Sequence, residues 1–175
     1  DTSGSVTSAS VTAITGTAAE AQAALDSAQL VSLGDVDVAV SDAGAIAATV
    51  LNDLASATTG DITSGDVTSL TGASAQGQAA LGDAQLVSLG AVDATVSDAG
   101  AVVATVLTNL AGATSGEVTS AAVTSVTGTA GEAQAALDSA QLVSLDSVDA
   151  TVSDAGAIAA TVLTDLAGAT TGDVT

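Results

Sequence analysis

Hydrophobic residues recur along this chain with two different spacings. One set follows the i, i+3, i+4, i+7 spacing of a single helical face and predicts a helix over residues 18–29, with Thr15 or Thr17 as its N-cap. Its members are Ala21, Ala24, Leu25 and Ala28. Between residues 36 and 40 valine occupies every second position, which is the period of a strand with one buried face. The chain therefore alternates between helix and strand patterns.

A second helical face follows the sequence Ser41-Asp42-Ala43-Gly44. The apolar residues of this face are Ile46, Ala47, Val50, Leu51 and Leu54. We expect a helix that begins after Gly44 and ends near Ala55, with Asp42 or Ser41 as its N-cap. Beyond it, residues 61–63 and 67–70 predict two short β segments separated by a turn near residues 64–65.

This succession of elements is written three times, with a period of 56 residues that starts at Ile14, Leu70 and Val126. Residues 1–13 then form the tail of a preceding repeat, 14–69 the first repeat, 70–125 the second, and 126–175 an incomplete third. A single repeat cannot bury its apolar face alone, so neighbouring repeats must cover one another. The expected fold is an α/β repeat solenoid of stacked helix-strand-helix-strand units with a parallel β-sheet, without separate domains.

The composition restricts both the core and the partners. Hydrophobic residues make up 47% of the chain, yet Phe, Trp, Tyr and Met are absent, so the core must consist of Ala, Val, Leu and Ile. The chain contains twenty Asp and Glu residues and no Lys, Arg or His, which gives a net charge of −20. Such a polyanion cannot neutralise phosphates, which argues against nucleic acid and anionic lipid as partners. Its apolar runs are also too short to insert into a membrane.

The missing residue types indicate an extracellular location. Trypsin-like proteases cut at Lys or Arg, chymotrypsin-like proteases prefer aromatic residues, and oxidants attack Cys and Met first. None of these residues is present. We therefore expect a secreted, protease-resistant protein at the cell surface.

Two aspartate positions of the repeat, each present in all three copies, supply six candidate calcium ligands. These are Asp37, Asp42, Asp93, Asp98, Asp149 and Asp154. Calcium prefers oxygen ligands, and oxygen ligands are all this sequence offers. The spacing matches neither an EF-hand nor a calcium-binding β-roll. In the competing interpretation the Asp42 series caps helices and the Asp37 series lies on the solvated face of a strand.

Catalysis is not expected. No His, Cys or Lys is available to activate a hydroxyl nucleophile. A catalytic site is normally singular, whereas nothing distinguishes one copy of the repeat from the next. We predict that this protein is not an enzyme and needs no cofactor other than, at most, calcium.

The unit Val-Ser-Asp-Ala-Gly-Ala-Ile-Ala-Ala-Thr-Val-Leu, followed after one residue by Asp-Leu-Ala-Gly-Ala-Thr-Thr-Gly-Asp-Val-Thr, occupies residues 152–175. It resembles repeats of very large secreted bacterial surface proteins, the αβ-solenoid filament proteins called dispirins. The resemblance implies stacked repeats or subunits in a long extracellular filament, with copies of the protein itself as partners. It carries no functional residue across to this chain.

Two functions are compatible with these observations. In the first, the protein is structural and forms an extracellular filament or sheath by stacking α/β-solenoid repeats. In the alternative, the repeats form a calcium-stabilised stalk or adhesin region that presents a binding domain outside this sequence.

Overall fold

A computed structural model describes residues 5–175 of the chain. Within them lie six helices and fourteen strands. The helices are α1 (Ala18–Leu25), α2 (Ala48–Ala57), α3 (Ser74–Gly82), α4 (Ala104–Ala113), α5 (Ala130–Leu137) and α6 (Ala160–Ala169). The strands are β1 (Val6–Thr7), β2 (Ala13–Gly16), β3 (Leu30–Val31), β4 (Asp37–Val40), β5 (Gly44–Ala47), β6 (Ile62–Thr63), β7 (Val67–Gly72), β8 (Leu86–Val87), β9 (Asp93–Val96), β10 (Gly100–Val103), β11 (Val118–Thr119), β12 (Val123–Gly128), β13 (Leu142–Val143) and β14 (Asp149–Val152).

Each strand pairs in parallel with strands one coil before or after it along the chain. Ile14 lies opposite Val38, Val38 opposite Ile62, and Ile62 opposite Leu86, a constant step of 24 residues. The same step joins Leu70 to Ala94 and Val126 to Ala150. The chain is therefore an α/β solenoid with parallel sheets, as predicted, and one coil of the solenoid contains 24 residues.

Every coil has three sides, each occupied by a strand or a helix. The coil that starts at β4, for example, continues through β5 and α2 before β6 stacks on β4. Stacking gathers the strands into sheet I (β2, β4, β6, β8), sheet II (β5, β7, β9, β11, β13) and sheet III (β10, β12, β14), while β1 and β3 form a separate pair. Helix α3 stacks on α2 with the same step, since the Asn52 side-chain amide donates to the Gln76 carbonyl 24 residues later.

The coil of 24 residues differs from the stacked 56-residue unit expected from the sequence. Fifty-six residues span two coils and eight residues, one third of the next coil. Equivalent strands of successive sequence copies consequently fall in different sheets: β4 lies in sheet I, β9 in sheet II and β14 in sheet III. Three sequence copies and seven coils both comprise 168 residues, so an element returns to its own side of the solenoid only after three copies.

The core lies inside the coils and consists of aliphatic residues. Leu51 and Leu54 of α2 and Ile62 of β6 are completely buried, as are their equivalents Leu107 and Val118. In β4 and β9 the buried residues alternate with exposed ones, as the valine pattern predicted. Because every side chain in this interior is short, adjacent coils can stack at the close spacing of β-strands.

Two predicted helices have different limits in the structure. The predicted helix 18–29 ends at Leu25, and Leu30–Val31 is a strand instead. The second helix does not follow directly on Asp42, because Gly44–Ala47 forms strand β5 and pairs with β7. Gly44 has a positive φ of 84°, a conformation that glycine adopts without the steric cost of a Cβ. Helix α2 begins at Ala48, and its N-cap residue Ala47 makes no side-chain capping bond.

Candidate functional site

The recurrent carboxylates of the Asp42 series each cap a helix, although not the helix predicted. An Oδ2 atom of Asp42 accepts a hydrogen bond from the Ala18 amide at 2.6 Å, at the first residue of α1. Asp154 does the same for Ala130 of α5 at 2.6 Å, and Asp98 for Ser74 of α3 at 2.5 Å. Each carboxylate thus binds the helix N-terminus one coil earlier in the chain. The N-cap role predicted for the helix that follows Asp42 is wrong, because β5 separates the two.

These caps tie neighbouring coils together at a favourable electrostatic position. A helix N-terminus has unpaired amides and a partial positive charge, both of which a carboxylate satisfies. The contact matters most for α3, whose N-cap residue Ala73 has no side-chain acceptor. In α1 and α5, Thr17 and Thr129 additionally accept from an amide of the first turn.

The Asp37 series also binds backbone in an adjacent coil. Asp37, Asp93 and Asp149 are exposed at the start of their strands, as the competing interpretation predicted. Each Oδ1 accepts from the amide of the residue 24 positions later, at distances of 3.0, 2.8 and 2.9 Å. The three donors are Asp61, Glu117 and Asp173. The series therefore joins strands in addition to facing solvent.

A third contact between coils, which the sequence analysis missed, involves threonine and glycine. Buried Thr58 donates from Oγ1 to the Val36 carbonyl at 2.7 Å and accepts from the Gly60 amide at 3.1 Å. Its equivalents Thr114 and Thr170 make the same pair of bonds. A Cβ added to Gly60 would overlap the Val36 carbonyl, so the two segments of chain approach as closely as glycine permits.

We call this arrangement the Thr-Gly clamp: Thr58 with Gly60, Thr114 with Gly116, and Thr170 with Gly172. The sequence does contain a signal for it, because Thr-x-Gly followed by an acid recurs in all three copies. Turn-forming residues are common between helices and strands, however, and the pattern alone does not reveal which distant carbonyl the threonine reaches.

The proposed calcium ligands are not assembled into a cation site in the described structure. Across residues 5–175 no group of three or more carboxylates is placed to hold a metal ion. The six candidate aspartates instead accept backbone hydrogen bonds in neighbouring coils. Calcium binding remains a prediction from the sequence.

One carboxylate in a capping position has a shifted pKa. Glu20 accepts from the backbone amide of Thr17 and from its hydroxyl, both at 2.9 Å, and these bonds lower the pKa of Glu20 below its usual value of 4.5. Thr17 in return accepts from the Glu20 amide at 3.3 Å, which completes a capping box at the start of α1.

An open groove lies between α1 and α2. Small side chains at Ala19 and Ala23 leave it open, and Asp26 and Asp53 lie along it. Inside it, the Gln22 side-chain amide donates to Asp26 Oδ2 at 3.0 Å. The groove presents the exposed carboxylates of Asp26 and Asp53 to solvent.

Comparisons with models of known protein families, with curated proteins and with solved structures give no match. None of the helices in the described part of the chain is long and apolar enough to cross a membrane. The features that recur in every copy, namely the aspartate caps, the strand-joining aspartates and the Thr-Gly clamp, all connect one coil to the next.

Proposed function

We propose that this protein is structural and forms an extracellular filament or sheath by stacking α/β-solenoid coils. The observation that carries this proposal is the use of recurrent polar residues for contacts between coils. In many proteins carboxylates and hydroxyls bind ligands or take part in catalysis. In this chain the recurrent ones form hydrogen bonds with the backbone of a neighbouring coil. A protein built in this way extends by adding equivalent coils.

Burial between internal coils supports the same function. Leu51 and Leu107 of the helices are completely buried, and so are Ile62 and Val118 of the strands. Because each coil covers apolar residues of its neighbour, the fold favours stacking of further coils of the same kind.

Extracellular use is supported by composition. The chain lacks the residues that trypsin-like and chymotrypsin-like proteases recognise, and it lacks the sulfur-containing targets of oxidants. Its charge of −20 opposes sideways clumping of finished filaments. The resemblance of residues 152–175 to dispirin repeats points to the same role.

Electron microscopy of the purified 175-residue chain tests the proposal. We expect fibres one solenoid wide whose length increases with protein concentration. A preparation that stays monomeric at every concentration, with its secondary structure intact by circular dichroism, would rule out filament formation.

The alternative function, a calcium-stabilised stalk, is tested by thermal melting. Calcium that binds the folded chain must raise its melting temperature, and a chelator must lower it again. The double variant Asp42→Asn and Asp98→Asn, melted with and without calcium, shows whether the candidate ligands carry any such shift. If calcium does not change the melting temperature, the hypothesis of a calcium-stabilised stalk is ruled out.

A further inference from the structure

The groove between α1 and α2 combines an apolar lining with two acids. Ala19 and Ala23 of α1 and Val50 of α2 supply the apolar part, and the volume of the groove is about 390 Å³. Asp26 and Asp53 lie along it and are exposed. A volume of this size, with apolar surface and a few polar groups, is typical of sites that bind small molecules.

The small residues of this groove are uncovered in the middle of the helix stack as well. The two alanines of α1 have exposed equivalents in α3, namely Ala75 and Ala79, although α3 contacts both α2 and α4. Val50 and its equivalent Val106 are half-buried in both places. Packing of the helices on one another therefore leaves these positions open to a ligand.

The two acids of the groove occur together in the sequence copies. The aligned pairs are Asp26 with Asp53, Gly82 with Asn109, and Asp138 with Asp165. Each copy thus has both carboxylates or neither of them. Other surface acids are present in one copy only, such as Asp35, Asp83 and Asp146. The paired occurrence indicates that the two carboxylates of the groove act together.

The groove has hydrogen-bond acceptors and no positively charged donor. The Gln22 side-chain amide donates to Asp26 Oδ2 at 3.0 Å, and Gln22 Oε1 is buried without a partner. A carboxylate can only accept hydrogen bonds, and the chain has no Lys, Arg or His to donate to it. An unpaired buried acceptor costs free energy as well. A ligand that brings charged donors would complement these groups.

An organic cation suits this groove better than a metal ion does. Calcium takes about six to eight oxygen ligands, and two carboxylates beside alanine and valine side chains offer too few. An aliphatic ammonium compound can place its charged groups against carboxylates and its hydrocarbon part against apolar side chains. Two acids on one groove favour a ligand with two charged groups.

We propose that the groove between α1 and α2 binds an aliphatic diammonium ion, a small molecule of the polyamine class. Its ammonium groups donate to Asp26 and Asp53, and its hydrocarbon chain lies over Ala19, Ala23 and Val50. The net charge of −20 raises the concentration of such cations around the chain. This binding function does not depend on whether the chain forms filaments.

Equilibrium dialysis with cadaverine, an aliphatic diamine, tests the proposal on single chains and on fibres alike. The groove variant Asp26→Gly with Asp53→Asn gives the first copy the residues of the second. We expect it to bind one diamine per chain fewer than the unmodified protein. The matched control, Asp35→Ala with Asp66→Ala, also replaces two exposed acids by the residues of the second copy. It should bind as many diamines as the unmodified protein.

The reverse substitution provides a positive signal. Gly82→Asp with Asn109→Asp places two carboxylates at the equivalent positions of α3 and α4, and a Cβ at Gly82 meets no atom within 4 Å. We expect this variant to bind one additional diamine per chain. Sodium chloride should weaken binding at both the original and the added site, because salt screens charges near the surface.

Diffuse binding of cadaverine as a counterion is the main alternative. Equal losses of bound diamine from the groove variant and from its control would show such binding and overturn the inference. A failure of the added carboxylates to increase binding would also contradict it. If lysine amide with an acetylated α-amine, which has a single ammonium group, binds as tightly as cadaverine, the ligand is not a diammonium ion. A lysine side chain of a protein partner would then be the better occupant.

Discussion

At the scale of single residues, neighbouring coils approach one another very closely at a few glycines. Gly116 shows this most directly, because a Cβ at this position would overlap the Val92 carbonyl of the preceding coil. Gly112, four residues earlier in α4, has no atom within 4 Å of the same hypothetical Cβ. The two glycines therefore serve different purposes in one short segment.

We predict that Gly116→Ala destabilises the protein and that Gly112→Ala does not. Forcing a methyl group against backbone at Gly116 should lower the free energy of unfolding by about 1–3 kcal/mol. Gly112→Ala should raise it by about 0.5–1 kcal/mol, because alanine is the better helix former. Urea denaturation of both variants measures the difference, and equal effects would show that the close approach at Gly116 is relaxed in solution.

The capping box of α1 predicts a pH dependence. The bonds from Thr17 lower the pKa of Glu20, so ionised Glu20 stabilises the folded state. That contribution is complete above the unfolded pKa, near 4.5, and disappears as the pH falls through the lower folded value. Glu20→Gln should therefore be less stable than the unmodified protein at neutral pH, and this difference should vanish in strongly acidic buffer.

Thermal melts over a pH series measure the Glu20 effect. Asp165→Asn is the matched control, because Asp165 is exposed and the second copy carries Asn109 at the equivalent position. This variant measures how the loss of one negative charge by itself changes the melting temperature. If the difference in melting temperature between Glu20→Gln and the unmodified protein persists in acid, the role assigned to the Glu20 carboxylate is contradicted.

At the scale of elements, helix starts are determined by the preceding or following coil as much as by the local sequence. The sequence Ser-Asp-Ala-Gly before an apolar run is typical of an N-cap, and it predicted that Asp42 caps the helix after it. The structure instead places β5 there and directs the carboxylate to α1. Residue preference was thus informative about the role of the aspartate and uninformative about its partner, which lies 24 residues away.

Removal of one such aspartate should affect a helix in the preceding coil. We predict that Asp98→Ala lowers the free energy of unfolding by about 0.5–2 kcal/mol, the usual cost of losing a cap. Hydrogen exchange should accelerate at the first amides of α3, beginning with Ser74, whose bond to Asp98 is lost. Asp66→Ala is the control, because Asp66 is exposed and the second copy carries Ala122 at that position. Acceleration confined to the start of α4 would instead support the role predicted from sequence.

At the scale of the whole molecule, the mismatch between the coil and the sequence repeat distributes each element over three sides. Equivalent strands in successive copies advance by one side, and the helices follow the same progression around the axis. Each helix from α1 to α5 contacts the next one along the chain. The surface of a long array is therefore a screw that repeats after seven coils, and no side differs permanently from the others.

This geometry predicts three axial spacings in aligned fibres. With a strand spacing of about 4.8 Å per coil, each 56-residue copy advances by about 11 Å and the complete pattern recurs after about 34 Å. Fibre diffraction should show a meridional reflection at the coil spacing of about 4.8 Å, and layer lines consistent with the spacings of about 11 Å and about 34 Å. A pattern with the coil spacing but without the longest repeat would mean that the coils of a fibre do not follow one another in the register of the sequence copies.

Several properties of this protein follow from its sequence alone. The 56-residue period, the aliphatic core and the α/β class require only composition and hydrophobic spacing, because periodicity records which faces are buried. The alternating valines of residues 36–40 predicted β4, and its equivalents in the later copies are also strands. The recurrence of Asp37 and Asp42 identified residues that make the same contacts in every copy.

Only the tertiary structure determined the 24-residue coil, the strand at Gly44–Ala47 and the partners of the recurrent aspartates. The physical reason is that backbone pairing and packing between coils determine which residues are stacked, and a sequence period that is not a whole number of coils leaves that choice undetermined. Short apolar segments such as residues 44–47 can form a helix or a strand, and the adjacent strand β7 decides between them by offering a ladder of hydrogen bonds. Local sequence specifies which groups are available to bond, whereas the stacking of coils specifies where their partners lie.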